Sequence, residues 1–154
     1  MIEWLSSKMT TSVTVLVIAA SFTGLFSMQA EHYRTLELED LADAITDLVT
    51  EVDLLACEAE VQVNWTSSAT SHGLPRDFHG EHYLVQFTTE RPYVVWQGTR
   101  VAGRFFPSDL VLLDGEDAPV VLLEVPSTTG FILDSELAWR DWGLDQVLTV
   151  RPVP

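Results

Sequence analysis

The sequence predicts an α+β chain, with one long N-terminal helix (transmembrane, then amphipathic) followed by an antiparallel β-sandwich-like domain. Three observations predict it. Residues 9–30 carry no charge. Residues 31–59 run on without Gly or Pro and repeat apolar residues at helical spacing. From residue 60 the apolar period shortens to two, and turn signals rich in Gly and Pro begin to punctuate the chain.

The first element is "MTTSVTVLVIAASFTGLFSMQA". Its 22 uncharged residues make a helix of ~33 Å at ~1.5 Å per residue, the thickness of a bilayer core. A secretory h-region is shorter, ~7–15 residues, and follows a positive n-region. Here residues 1–8 read as a short leader, "MIEWLSSK", in which Glu3 offsets Lys8. Val13, Leu16, Val17, Ile18, Phe22, Leu25 and Phe26 are the expected membrane or assembly residues. Thr10, Thr11, Ser12, Thr14, Ser21, Thr23, Gly24 and Ser27 are small or hydroxylated, which suits either a mildly polar anchor or close packing against other helices. Gly24 is a candidate kink.

The second element, residues 31–59, continues the first without a stop signal. Leu38, Leu41, Ile45, Leu48, Val52 and Leu55 repeat at three- and four-residue intervals, and Ala59 extends the stripe. The opposite face carries Glu37, Glu39, Asp40, Asp43, Asp47, Glu51 and Asp53. Two uses of the stripe stand open: packing on the downstream domain, or a seam against another helix. A single helix over about residues 9–58 is expected.

The third part, residues 60–154, reads as seven or eight short strands. They are "EVQVNWT", "EHYLVQFT" (81–88), "YVVWQ" (93–97), "RVAGRFF" (100–106), "LVLL" (110–113), "PVVLLEV" (119–125), "GFIL" (130–133) and "QVLTVRP" (146–152). "TERP", "QGTR", "DGED" and "PSTTG" read as turns. "SELAWRDWG", with Trp139 and Trp142, reads as a short turn or a loop closing the core.

Composition narrows the function classes. The chain has 154 residues, 23 acids against 8 bases, and a net charge of −15. So negative a surface repels nucleic-acid phosphates and anionic headgroups, so no nucleic-acid partner is expected. With one Lys and seven Arg, the acidic, Lys-poor balance matches proteins soluble at high salt; a GC-rich coding sequence would also favour Arg. Cys57 is the single cysteine, which excludes an intrachain disulfide, and its apolar setting reads as a buried, inert thiol.

No residue pattern declares catalysis. There is no nucleophile elbow, P-loop or HExxH, and no recognisable general acid/base pair. His72, His79 and His82 gather around Glu81, but their spacing matches no strong metal signature, and turn or surface histidines are the plainer reading. No enzyme activity, metal or cofactor is expected. Asn64-Trp65-Thr66 forms an N-x-T sequon, and Asn64 is the candidate glycosylation site of an exported domain.

The order of parts (short leader, apolar helix, amphipathic continuation, β domain) resembles that of archaeal type IV pilin-like proteins. "EVQVNWTSSATSHGLPRDFHGEHYLVQFTTERPYVVW" suits the entry to such a β domain. Pro75 falls outside the ladder, Gly80 supplies a turn, and Tyr83, Val85 and Phe87 share one face. The resemblance implies helices bundled in a filament core, with β domains displayed outside and a leader removed by a prepilin peptidase. The chain departs from the pattern where Met9 follows Lys8 in place of a small residue, and where no Glu stands early in the apolar run. A minor pilin or an uncleaved pilin-like membrane protein is the form that fits these departures.

The expected location is therefore the cell membrane: single-pass, with the β domain outside the cytoplasm, at the cell surface and in a filament if the chain polymerises. The expected partners are the lipid bilayer and, through the N-terminal helix, other pilin-like subunits or envelope proteins. The alternative is a membrane-tethered binding module of the envelope that does not polymerise.

Overall fold

The computed structural model describes residues 2–55, 59–63, 74–108, 110–140 and 143–153. Cys57, Asn64, Trp65, Thr66, His72 and Trp142 lie outside the described residues, and with them the readings of a buried thiol and a glycosylation site. The fold is α+β: among the described residues, one long helix, α1 (Ile2–Asp53), is followed by nine strands in two sheets. Two compact units divide the chain, Met1–Glu37 and Leu38–Pro154.

The first unit is helix alone. The helix begins at Ile2, ahead of the expected start at Met9, and passes through Gly24 without a break, so Gly24 does not interrupt it. Several of its hydroxyls turn back on the backbone. Thr14 Oγ1 donates to Thr10 O at 2.9 Å, Ser21 Oγ to Val17 O at 2.8 Å and Thr23 Oγ1 to Ala19 O at 2.9 Å.

The second unit contains the last turns of α1 and both sheets. The strands are β1 (Ala59–Val63), β2 (Leu84–Thr88), β3 (Pro92–Trp96), β4 (Thr99–Ala102), β5 (Leu110–Leu113), β6 (Pro119–Val120), β7 (Leu122–Pro126), β8 (Phe131–Arg140) and β9 (Gly143–Pro152). One sheet has the order β1-β8-β9-β5-β6 and the other β4-β3-β2-β7. Alternate residues of each strand point inward. Val85, Phe87, Val94, Val101 and Val125 of one sheet and Val63, Leu112, Phe131, Leu133 and Val150 of the other are buried in one core. Phe87 and Phe131 meet across the sheets, edge to face, with ring centroids 4.8 Å apart.

Leu38, Leu41, Ile45, Leu48 and Val52 belong to the same core, joined by Ala42 and Val49. The stripe is therefore a domain-packing face, which closes the alternative of a seam against another helix. It stops short of its expected end. The helix ends at Asp53, so Ala59 opens β1 and Leu55, at 41% exposure, leaves the stripe. A polar clamp holds the helix end: Gln146 Nε2 donates to Asp53 O at 2.5 Å and lies 3.3 Å from Leu55 O, and Ser108 Oγ donates to Asp53 Oδ2 at 2.9 Å. These donors satisfy terminal oxygens that have no basic residue in the last helical turn to answer them.

Several strand boundaries differ from expectation. β2 starts at Leu84 because Phe78 and Glu81 first close a small turn, with N–H···O bonds of 2.8 and 3.1 Å and φ of 52° at His79 and 81° at Gly80. The expected turn at Gln97-Gly98 is present. With φ of 48° and 80°, it joins β3 to β4 as a two-residue hairpin whose handedness suits twisted strands.

The expected strand 119–125 is two. β6 belongs to one sheet and β7 to the other, and Val121 marks the crossing between them. The stretch read as a loop, "SELAWR", is extended β8, paired along its length with β9. Trp139 closes no core; it stands 81% exposed. One pair also departs from the antiparallel pattern: β5 runs parallel to β9. β6, β7 and β8 intervene between those two strands, so no tight hairpin dictates their relative direction.

Candidate functional site

Two surfaces have the chemistry to act. The first is the uncharged part of α1, and it follows directly from residue type. Val13, Leu16, Val17, Ile18, Phe22, Leu25 and Phe26 each leave half or more of their surface exposed. At about 100° per residue they face all sides of the helix rather than one stripe. Such a cylinder is unfavourable in water, because each large apolar side chain costs ~1.5–3 kcal/mol when left exposed instead of buried. The helix is long and apolar enough to cross a membrane. The hydroxyls of Thr14, Ser21 and Thr23 do not oppose this, because they already donate within the helix and need no water.

The second surface is the outer face of the four-stranded sheet, which the sequence reading missed. Tyr93 on β3 projects away from the core. The Arg100 guanidinium lies over its ring, 3.8 Å from the centroid. Arg91 Nε donates to the Tyr93 hydroxyl at 3.0 Å, and its guanidinium sits 5.3 Å from the Tyr93 centroid and 4.7 Å from that of Phe105. Beside them on the face, Gln86 Nε2 donates to Glu124 Oε1 at 2.7 Å. The signal that could have found this group is "ERPY" followed by "QGTR". A two-residue hairpin brings Arg100 opposite Val95, one diagonal step from Tyr93.

Two other arginines meet acids. Arg104 Nη2 donates to Asp47 Oδ1 at 2.5 Å, and Arg104 Nε lies 3.3 Å from Asp43 Oδ2. The Asp47 hydrogen bond first, and then the two carboxylate charges, push the Arg104 pKa above its ordinary value. Arg151 approaches Glu60 at 3.7 Å.

The described histidines do not converge. His79 packs edge-on to Phe78, with centroids 4.6 Å apart, and His82 Nδ1 meets Asp77 Oδ1 at 2.6 Å. Glu81 accepts from Gln97 Nε2 at 2.7 Å. Among the described residues no three His, Cys, Asp or Glu side chains stand together as a metal site.

Tyr83 is the strongly perturbed acid. Burial first, and then the Asp77 carboxylate, push its phenol well above its ordinary value of 10.0. It donates to Pro75 O at 2.5 Å, a structural bond rather than a poised proton donor.

No family model, curated protein or solved structure matches the chain. Residue chemistry and the α+β fold therefore carry the functional reading.

Proposed function

We propose that this chain is a membrane-anchored, exported structural protein, a pilin-like subunit of a type IV pilus-like or other cell-surface assembly. The observation that carries the reading is the uncharged helix of residues 9–30, apolar on every side and with the hydroxyls of Thr14, Ser21 and Thr23 bonded internally. Such a surface is stable against lipid or other apolar helices and unstable against water. The order of parts supports a pilin-like architecture: an apolar helix, then a helical segment built into a β domain. In this reading the β domain stands outside the cytoplasm, and the chain works by position and contact, without catalysis or a cofactor.

Alkaline carbonate extraction of native membranes, followed by protease treatment of intact cells or spheroplasts, tests the proposal. The chain is expected to stay in the membrane pellet, and its β domain to be cleaved from outside. Release into the carbonate supernatant would overturn the anchor, and protection of the β domain in intact spheroplasts would overturn its orientation.

A further inference from the structure

In the Arg91–Tyr93–Arg100 group two cations converge on one aromatic ring. In a chain of net charge −15 carboxylates are plentiful, and Arg104 and Arg151 each sit beside one. Arg91 and Arg100 instead share one tyrosine ring, and among the described residues neither guanidinium has a carboxylate within 4.0 Å. Two like charges held around one ring repel each other, and an incoming anion would relieve that repulsion. A guanidinium that lies over a ring uses its face for that contact and keeps its in-plane N–H donors for a carboxylate. The ring and the Tyr93 hydroxyl also fix the two side chains in advance, so little conformational freedom remains to be lost on binding.

The matching anion is present on the same chain. Residues 31–60 contain ten acids and one base. Within the second unit, Glu39 and Asp40 are exposed on α1, with no cationic partner among the described residues. Asp43 and Asp47, about one and two turns further on, are already held by Arg104. Two copies with this net charge repel each other at long range, so close association needs a local cationic contact.

We propose that the Arg91–Tyr93–Arg100 face docks the Glu39–Asp40 segment of α1 in a second copy of this chain. The inference deepens the assembly reading above and rests on it for its biological setting. The contact itself lies in the second unit and does not depend on lipid.

The test uses the full chain in non-ionic detergent micelles, with self-association measured by sedimentation equilibrium. R91E/R100E and E39R/D40R are each expected to weaken association at least tenfold. Mixed together and carrying different fluorophores, the two variants are expected to recover energy transfer between unlike chains. R91Q/R100Q, which keeps the side-chain stems without the charge, serves as the milder variant, and far-ultraviolet dichroism establishes that each variant is folded. Association unchanged in both reversals, failure of the mixed pair to recover, or a parent chain monomeric throughout would each overturn the docking site. Carbonate extraction separates the two proposals: a chain that stays in the membrane but ignores the charge reversals loses the docking site and keeps its anchor.

Discussion

Gly103 lies against the backbone of Ala42: a Cβ built on Gly103 would stand 2.7 Å from the Ala42 carbonyl oxygen and 3.0 Å from Pro92 Cγ. The Gly103 N–H meanwhile donates to Pro92 O at 2.9 Å, which holds the segment after β4 in place. This close approach lets Arg104 reach the helix, where its N–H donates to Asp43 Oδ1 at 3.0 Å and the Thr46 hydroxyl lies 3.3 Å from Arg104 O. The lower turns of α1 are thereby fastened to the β domain by backbone as well as by side chains.

Gly103→Ala is therefore expected to destabilise the second unit by ~1–3 kcal/mol, the usual cost of forcing a methyl group into a filled site. The clashing atom belongs to backbone, so no side-chain rotation relieves it. Urea unfolding of the full chain in detergent measures the change. A midpoint equal to that of the parent would show that the helix and the β4–β5 connection do not pack this closely.

Phe87→Ala is expected to cost ~3–5 kcal/mol, because it opens a cavity where Phe87 and Phe131 bridge the two sheets. Phe87→Leu retains most of the volume and is expected to lose much less. Parallel thermal melts of the two variants test the sandwich directly. Equal melting temperatures would place Phe87 outside the core.

Stability is also expected to fall at high pH through Tyr83. Below its ordinary value of 10.0 the phenol is neutral in both the folded and the unfolded chain. Above that value the unfolded chain loses its proton first, because burial and Asp77 hold the folded pKa higher. Folding stability then falls with rising pH, by up to ~1.4 kcal/mol per pH unit for a single group. Tyr83→Phe is expected to lose ~1 kcal/mol at neutral pH with the bond to Pro75 O, and to remove this part of the alkaline slope. Denaturant titrations between pH 8 and about 11 read both effects, and an unchanged slope in the variant would exclude Tyr83 as the source.

The parts of this fold that were legible in the sequence are those where one physical pattern dominates. An uncharged run of 22 residues and a stripe from Leu38 to Val52 leave little choice but helix, and the stripe's burial follows from its apolar period. "LVLL" at 110–113 coincides with β5, and Gln97-Gly98 forms the hairpin its residue types favour.

Elsewhere long-range pairing outweighed local signals. "SELAWR" looks like a loop because Ser and Glu interrupt it, yet six register pairs with β9, from Ser135 to Arg140, hold it extended. The end of α1 is held by Gln146, which lies 93 residues away from Asp53. The split between β6 and β7 reflects a change of sheet, invisible to periodicity because both halves are apolar. The Arg91–Tyr93–Arg100 group needed the β3–β4 register, since residues seven and nine apart meet only after the hairpin closes.

The membrane reading is tested most directly by Val17→Asp beside Leu16→Ala, both in the full chain expressed in its host membrane. Leu16→Ala trims one apolar contact and is expected to leave the chain in the carbonate-resistant membrane fraction. Val17→Asp puts a carboxylate in the uncharged run, at a cost of ~2.5–3.5 kcal/mol near the bilayer centre. It is expected to impair insertion or assembly, with chain appearing in the extractable fraction. Val17→Asp protein that remains fully membrane-bound and assembled, indistinguishable from Leu16→Ala, would contradict residues 9–30 as the anchor.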